Sequence, residues 1–431
     1  MRIDKQIAIK LKEKGIEEFK IVRSVSCGIV YRLCYGNKKI NDLFEDRILV
    51  IIVISGKVIR FSISSDINEA FLEKIVDKVI QENLEYAVRT KYKWDIKNIK
   101  RDSSYNKHIF EDYNVKKYEQ WIDEEIKKLM QDITFPFNIV YTMNSAKYSV
   151  LTDKSYCEQY HSESEFLCME NIKFKKKAIV KNVFFDNPFV PTVVEKLNKK
   201  PYIYKEIKIE EDSYIVIKAK AMEALLNAYI TLFYANYIYT GQSLFQMEDM
   251  GKYISKCDFD LIELPYENML FDGEGEAVRS KLIISSGKMV NILGNLEYSK
   301  YLGGNYCGNA DLKMEHLITH QRLKFKIRRE LGYGIKQNMT IYEAKQLSIN
   351  FDDHMVYGNV IYGEKNKRYT SMIKLDLNYL FNNLYATNQV YEWTQNVYCC
   401  DTVLYYEKCN GRNRNGKVKE FNENRSVFKK E

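Results

Sequence analysis

The stretch that most constrains the fold is FDGEGEAVRSKLIISSGKMVNILGNLEYSKYLGGNYCGN, residues 271–309. It opens with an acidic, glycine-rich turn at 271–275, and Arg279 and a short apolar segment at 281–285 follow. Ser286-Gly287 suits a tight reversal, so a β-hairpin is predicted around it. A loop of small residues, Leu-Gly-Gly…Cys-Gly-Asn, closes the stretch. The order of acidic turn, hairpin and small-residue loop is the most specific pattern in the chain.

Length and composition predict a folded protein of more than one domain. The chain has 431 residues, of which 45% are hydrophobic and 29% are charged, and this content can fill two cores. Nine scattered cysteines without a CxxC pair, together with an amphipathic rather than apolar N-terminal segment, predict reduced thiols in the cytoplasm. The longest apolar stretch, 221–239, contains Glu223, Asn227 and Asn236, so it predicts a buried core helix rather than a membrane span.

Periodicity predicts an α+β fold with two domains. An α/β domain with a mixed sheet and helices is expected at 1–195, with amphipathic helices over 68–86 and 115–133. A β-rich, barrel-like domain is expected at 196–410, because three of the five prolines lie at 187–201 and strand patterns dominate beyond them. Residues 411–431, with seven Lys or Arg against three Glu, predict a basic and flexible tail.

Zinc-dependent hydrolysis needs about three N, S or O ligands and an open position for water, and the chain offers few histidines for such a site. The two histidines at helical spacing, His316 and His320, follow Glu315, which would point away from their shared face. We therefore interpret 314–320 as a surface helix with solvated or capping histidines. His354 stands alone beside Asp352-Asp353 and is interpreted as a loop residue. The remaining histidines are His108 and His161.

Two further segments extend the pattern of 271–309. KAMEALLNAY at 220–229 precedes it, and NVYCCDTVL at 396–404 follows it. In this order and spacing, the segments from 220 to 407 resemble the TldD/PmbA (TldD/TldE) family. The family's members work as two-subunit metalloproteases, in which one subunit carries a zinc site formed by an HExxxH helix and a C-terminal Cys.

The resemblance implies that this chain is the metal-free, PmbA/TldE-like subunit. Glu223 stands at the position of the motif's Glu, Met222 and Asn227 stand near its histidines, and Cys400 falls on the Cys. No histidine occurs between His161 and His316, so this helix cannot supply a two-histidine site. The resemblance further implies a zinc-bearing TldD-like partner and an unfolded or leader peptide as substrate, with no cofactor bound by this chain.

No catalytic residue is predicted in this chain. Asp272, Gly275 and Arg279 are instead predicted to contribute to binding or to an interface beside the partner's chemistry. Acid/base work by Asp272 and Glu274 is the less common reason for such a turn, since an Asp often caps neighbouring backbone N–H groups.

Two alternatives remain open at this point. One is an autonomous hydrolase with an unrecognised metal or Cys site, such as Cys307 or Cys400 with His354. The other is a nucleic-acid-binding protein that uses the basic tail, although the body of the chain is close to neutral, which makes nucleic acid an unfavoured partner.

Overall fold

The structure is a computed structural model, and it describes most of the chain. The described residues are 3–34, 36–64, 66, 69–84, 107–132, 137–170, 177–180, 203–207, 213–266, 269–304, 308–313, 316–331, 336–353, 355–364 and 367–406. The proline-rich segment 187–201, the basic tail 411–431, Cys307 and His354 lie outside these residues, so the predictions made for them stay predictions. No helix in the described ranges is long and apolar enough to cross a membrane.

The chain forms two compact units that are not continuous in sequence. The N-terminal unit comprises residues 1–201 together with two later segments, 267–277 and 312–315. The C-terminal unit comprises residues 202–266, 278–311 and 316–431. The acidic turn therefore belongs to the N-terminal unit, although it lies far along the sequence.

In the N-terminal unit, the described strands form one antiparallel sheet in the order β3-β2-β1-β4-β5-β6. The strands are β1 (Phe19–Cys34), β2 (Asn37–Ile54), β3 (Lys57–Ser64), β4 (Phe137–Thr152), β5 (Tyr156–Glu170) and β6 (Lys177–Val180). The helices are α1 (Ile3–Glu13), α2 (Glu69–Leu84), α3 (Lys107–Glu111) and α4 (Val115–Asp132).

Helices cover one face of this sheet because odd-numbered residues of β1 alternate onto that face. Phe19 and Ile21 pack in a core with residues of α1 and α2. Ile29 and Tyr31 pack in a second core with Ile122 and residues around α3. Ser55-Gly56 forms a tight hairpin turn, since Ile54 pairs with Lys57 and both turn residues have positive φ.

The C-terminal unit contains a mixed sheet in the order β11-β10-β9-β12-β17-β8-β13-β14-β15-β7, with β16 added to β17. Among the described residues, the two end strands β11 and β7 do not pair with each other. Its strands are β7 (Ile203–Tyr204), β8 (Ser213–Ile217), β9 (Phe259–Leu264), β10 (Lys281–Ser285), β11 (Lys288–Met289), β12 (Arg322–Ile327), β13 (Lys336–Asn350), β14 (Met355–Glu364), β15 (Lys367–Asp376), β16 (Leu384–Trp393) and β17 (Val397–Tyr406).

Four helices in the described part accompany this sheet: α5 (Ala219–Ile230), α6 (Ala235–Tyr239), α7 (Leu296–Leu302) and α8 (Leu377–Asn382). The core helix expected over 221–239 is buried as predicted but interrupted. A short 3-10 turn, Thr231–Phe233, and an extended Tyr234 separate α5 from α6. The N-terminus of α5 is held by Asp401, whose Oδ1 accepts the Ala219 N–H at 2.9 Å. The hairpin at Ser286-Gly287 is also confirmed, with Ser285 opposite Lys288.

Candidate functional site

The acidic turn packs on the sheet face of the N-terminal unit that the helices leave uncovered. Gly275 lies over Lys20 and Val22 of β1 and Val150 of β4. The Gln159 side chain on β5 donates to the Phe271 carbonyl at 2.9 Å and accepts the Leu270 N–H at 2.7 Å. The turn is therefore a structural part of this unit rather than an exposed loop.

Asp272 organises the turn from inside. It is 1% exposed, and its Oδ1 accepts the backbone N–H groups of Glu274 at 3.0 Å and Glu276 at 2.9 Å. This is the capping arrangement that an Asp at such a position commonly makes. Gly275 adopts a left-handed φ of +71°, and an added Cβ would lie 2.9 Å from both Lys20 Cδ and Val150 Cγ2. Arg279, in contrast, is exposed, so a binding or interface role for these three residues stays a prediction.

The two glutamates of the turn meet cations of the sheet. Glu276 forms a salt bridge with Lys20, and both side chains are almost completely buried. The Glu274 carboxylate, which is fully buried, lies 3.2 Å from the Arg60 guanidinium of β3. Because each of the two glutamates has a cation beside it, their charges are offset within the same unit.

A cavity of about 230 Å³ opens beside the turn. Gly273 and Leu312 border it from the late segments, and Arg47 and Tyr148 border it from the sheet. The Arg47 guanidinium donates to the Lys313 carbonyl, which fixes one side of the opening.

In the C-terminal unit, α5 and β17 carry the positions that the resemblance predicts to correspond to a zinc site. Met222 is fully buried, and its sulfur accepts the Thr402 hydroxyl at 3.4 Å. The Glu223 carboxylate accepts the Asn396 N–H at 2.9 Å and so ties α5 to the start of β17. Cys400 is fully buried, and burial raises the pKa of its thiol. All three side chains serve packing or backbone bonding between helix and strand.

His320 reaches the fourth of these positions from another part of the chain. Its Nε2 lies 3.1 Å from Asn227 Oδ1, and its Nδ1 lies 2.7 Å from the Tyr234 hydroxyl. The amide oxygen can only accept, so Nε2 carries the proton and Nδ1 accepts from the tyrosine. The expected helix over 314–320 is wrong for 316–320, where Ile318 forms an isolated bridge with Ala310 instead. His316 is exposed there, whereas His320 is partly buried.

Neutral His320 should make stability depend on pH. Burial lowers the pKa of His320 to about 4, whereas an unfolded histidine titrates near 6.5. The stabilisation is thus complete above pH 6.5 and is lost as the pH falls towards 4, by on the order of 3 kcal/mol. Measured by urea unfolding, the free energy of unfolding should fall more steeply between pH 7 and pH 4 for the natural chain than for His320→Gln. His316→Asn should follow the natural chain, and equal slopes for His320→Gln would contradict this account.

A buried carboxylate anchors the end of the small-residue loop. Glu263 on β9 is 2% exposed and accepts the Asn309 side-chain amide at 2.8 and 3.0 Å, as well as the Gln321 N–H at 3.1 Å. Lys281 on β10 donates to Asn309 Oδ1. Burial raises the pKa of Glu263, and the charge of Lys281 and these hydrogen bonds oppose the rise. This network fixes the position of Asn309 at the end of the loop.

Sequence patterns did not point to His320, Tyr234, Glu263 or Lys20 as partners in these arrangements. Each contact joins segments far apart in the chain, and no spacing rule relates them. The only available signal was the Asn309 of the small-residue loop, since an Asn at a loop end often bonds to a neighbouring segment. Among the described residues, no group of three His, Cys, Asp or Glu side chains could hold a metal ion.

Known proteins resemble this chain in two respects: a family profile matches its C-terminal unit, and solved structures share its fold. The family profile described as the PmbA/TldA metallopeptidase C-terminal domain matches residues 211–404. This match covers less than half of the chain and assigns its C-terminal part to this type of domain. No curated protein matched the sequence significantly.

Three solved structures share the fold. TldE from Thermococcus kodakarensis is 12% identical with a TM-score of 0.64, and the match covers 95% of this chain and 99% of that one. A protein named as a candidate modulator of a DNA gyrase from Thermotoga maritima is 14% identical with a TM-score of 0.61, covering 93% and 97%. A similarly named protein from Bacteroides thetaiotaomicron is 12% identical with a TM-score of 0.61, covering 94% and 97%.

Proposed function

We propose that this chain is the non-catalytic subunit of a two-subunit, TldD/TldE-like zinc metalloprotease of the cytoplasm. A TldD-like homologue bearing HExxxH would hold the zinc, and the pair would cleave unfolded or leader peptides. The observation that carries the proposal is the chemistry of the four family positions on α5 and β17. They present a thioether, a carboxylate, an amide and a thiol, with no imidazole among them.

These side chains do not fit a catalytic zinc site. Zinc sites in proteins use imidazole, thiolate or carboxylate, and a catalytic site keeps one position open for water. The Met222 thioether is a poor ligand for zinc, and the Asn227 amide oxygen is engaged with His320. The Cys400 thiol has a raised pKa, which disfavours the thiolate that a metal requires. We therefore derive no metal-dependent step in this chain.

In the pair, this chain would form part of the wall of the chamber and hold the partner's active site in shape. An extended peptide would bind as an added strand, a mode in which backbone hydrogen bonds supply affinity and side-chain pockets supply selectivity. The acidic turn favours a structural role, because Glu276 and Glu274 are paired with Lys20 and Arg60 and Asp272 accepts backbone N–H groups.

Reconstitution with a HExxxH-bearing homologue tests the proposal. The purified chain alone should contain no stoichiometric zinc and cleave no unfolded peptide, and adding the homologue should produce cleavage. Glu223→Gln in this chain should leave the activity of the pair nearly unchanged, because this carboxylate bonds to the Asn396 N–H rather than to a metal-bound water. The matched Glu→Gln change in the partner's motif should abolish cleavage. One bound zinc per chain, or peptidase activity of this chain alone, would overturn the assignment.

The alternative of an autonomous cysteine hydrolase gains no support from the three buried thiols of the C-terminal unit. Burial raises the pKa of Cys257, Cys399 and Cys400, which keeps each in the unreactive thiol form. A thiol-blocking reagent and a chelator, applied to the chain alone, distinguish this alternative from the proposed role. Nucleic-acid binding by the tail 411–431 would be recognised by affinity that falls steeply with salt.

A further inference from the structure

The strand β2 extends beyond its neighbour β3, and among the described residues no strand pairs with the outer edge of its first half. It pairs with β1 along its whole length, but β3 covers only its second half, from Arg47 to Ile54. Over residues 37–46 the outer edge of β2 has no strand partner in the described part of the chain. Such an edge is a template for the addition of another strand.

The register shows which backbone groups point outwards. Val53 N–H donates to the Glu18 carbonyl, so odd-numbered residues of β2 face β1, and the pairing continues to Asn37 without a bulge. Even-numbered residues therefore face the other way, as Ile54 does when it pairs with Lys57 of β3. The even-numbered residues at the edge are Lys38, Ile40, Asp42, Phe44 and Asp46.

Side chains along this edge do not protect it from pairing. Phe44 is 74% exposed and Leu43 is 49% exposed. Charged side chains usually guard an edge strand, but here most are already occupied within the unit. Lys38 bonds to Glu119 and Asp123 of α4, Asp42 accepts the Tyr113 hydroxyl, and Asp46 pairs with Arg23.

We propose that a second copy of this chain adds its own β2 to this edge, antiparallel and about a two-fold axis at Asp42. In an antiparallel pair, two residues directly opposite each other point their backbone N–H and C=O groups either both towards or both away from the partner strand. Even-numbered residues of β2 point these groups to the free edge, so each must lie opposite an even-numbered residue of the second copy. The numbers of two opposite residues therefore add to an even sum. A sum of 84 places Lys39 opposite Glu45 and Ile40 opposite Phe44. It also places Lys38 opposite Asp46.

The charge pattern selects this register and favours a second copy over an unrelated peptide. A sum of 82 would place Lys39 opposite Leu43, and a sum of 86 would place Lys39 opposite Arg47, so neither forms this charge pair. At 84 the pair of Lys39 and Glu45 forms twice, once on each side of the axis. The opposing Asp42 carboxylates at the axis cost part of this gain, although each also accepts a phenol hydrogen bond from Tyr113 within its own chain.

The packing at this register also covers the exposed ring. Phe44 of one copy lies opposite Ile40 of the other, and Ile40 is partly buried against the core beneath α4. Lys39 and Glu45 form a pair without hydrogen bonds between their backbones, in which opposite side chains come closest. Both side chains are exposed, and Glu45 contacts only the exposed Arg47 among the described residues, so both can turn towards a second chain.

A charge exchange tests the register with the full-length chain. In sedimentation velocity at micromolar protein concentrations, the natural chain should sediment as a species with twice the mass of one chain. Lys39→Glu and Glu45→Lys should each shift it to the monomer, because each change places two like charges face to face on both sides of the axis. The double variant should restore the dimer, and an equimolar mixture of the two single variants should form a mixed dimer. The control Lys154→Glu, an exposed lysine outside the strand, should leave the dimer intact.

A monomeric natural chain at every concentration would overturn the proposal. A dimer that survives both single changes would also overturn it, because the contact would then lie elsewhere. Recovery in the mixture excludes misfolding as the cause of dissociation, since a misfolded chain would not regain its partner. The assay uses this chain alone, so its outcome is independent of whether a zinc-bearing homologue binds.

Discussion

Gly275→Ala should lower the free energy of unfolding of the N-terminal unit by about 2–5 kcal/mol. The left-handed φ of +71° disfavours any residue with a Cβ, which contributes about 1–2 kcal/mol. The new methyl group would also lie 2.9 Å from Lys20 Cδ and Val150 Cγ2 and 3.0 Å from Val22 Cγ2. Since Val22 and Val150 belong to paired strands, relief requires the turn or the sheet to move.

Gly15→Ala is the matched control for this prediction. Gly15 lies in the same unit with φ of +73°, but nothing lies within 4 Å of its added Cβ. Gly15→Ala should therefore lower the free energy of unfolding only by the cost of the left-handed backbone, about 1–2 kcal/mol. Hydrogen exchange of the β1 amides, compared at equal urea, reports the stability of this unit directly. Equal effects for the two glycines would show that the turn does not pack on the sheet as described.

Lys20→Met should destabilise the same unit by about 3–5 kcal/mol. Lys20 is fully buried on β1 and forms a salt bridge with Glu276, which is itself 4% exposed. Removing the lysine leaves a buried carboxylate without this cation, and the dehydration of that carboxylate is no longer offset. Thermal unfolding with the same hydrogen-exchange probe on β1 measures the effect.

The double variant Lys20→Met with Glu276→Met should regain a large part of the lost stability, because an apolar pair of similar volume needs no charge compensation. Lys10→Met is the matched control at the surface, where the partly exposed Lys10 and Glu13 pair at 2.9 Å. It should change the free energy of unfolding by less than about 1 kcal/mol. A Lys20→Met effect as small as the control's would contradict burial of the pair.

Local features of the fold followed from local patterns. Ser55-Gly56 and Ser286-Gly287 lie between short apolar runs, and both hairpins form where the turn residues predict them. The helices over 68–86 and 115–133 begin and end within about two residues of α2 and α4, because their apolar faces repeat at helical spacing. Continuity is harder to judge from a sequence: β1 runs unbroken from Phe19 to Cys34, through the glycine at 28.

The sequence by itself determined that α5 has no histidine. No histidine stands between positions 161 and 316, and this excludes a two-histidine helix whatever the fold. Only the tertiary structure decided what occupies those positions instead: His320 bonds to Asn227, and Glu223 bonds to the Asn396 N–H. Likewise, the acidic turn was readable as a motif, but its place on the N-terminal sheet was not. That placement depends on a buried contact between Glu276 and Lys20, which lie 256 positions apart, and no local periodicity relates residues at such a separation.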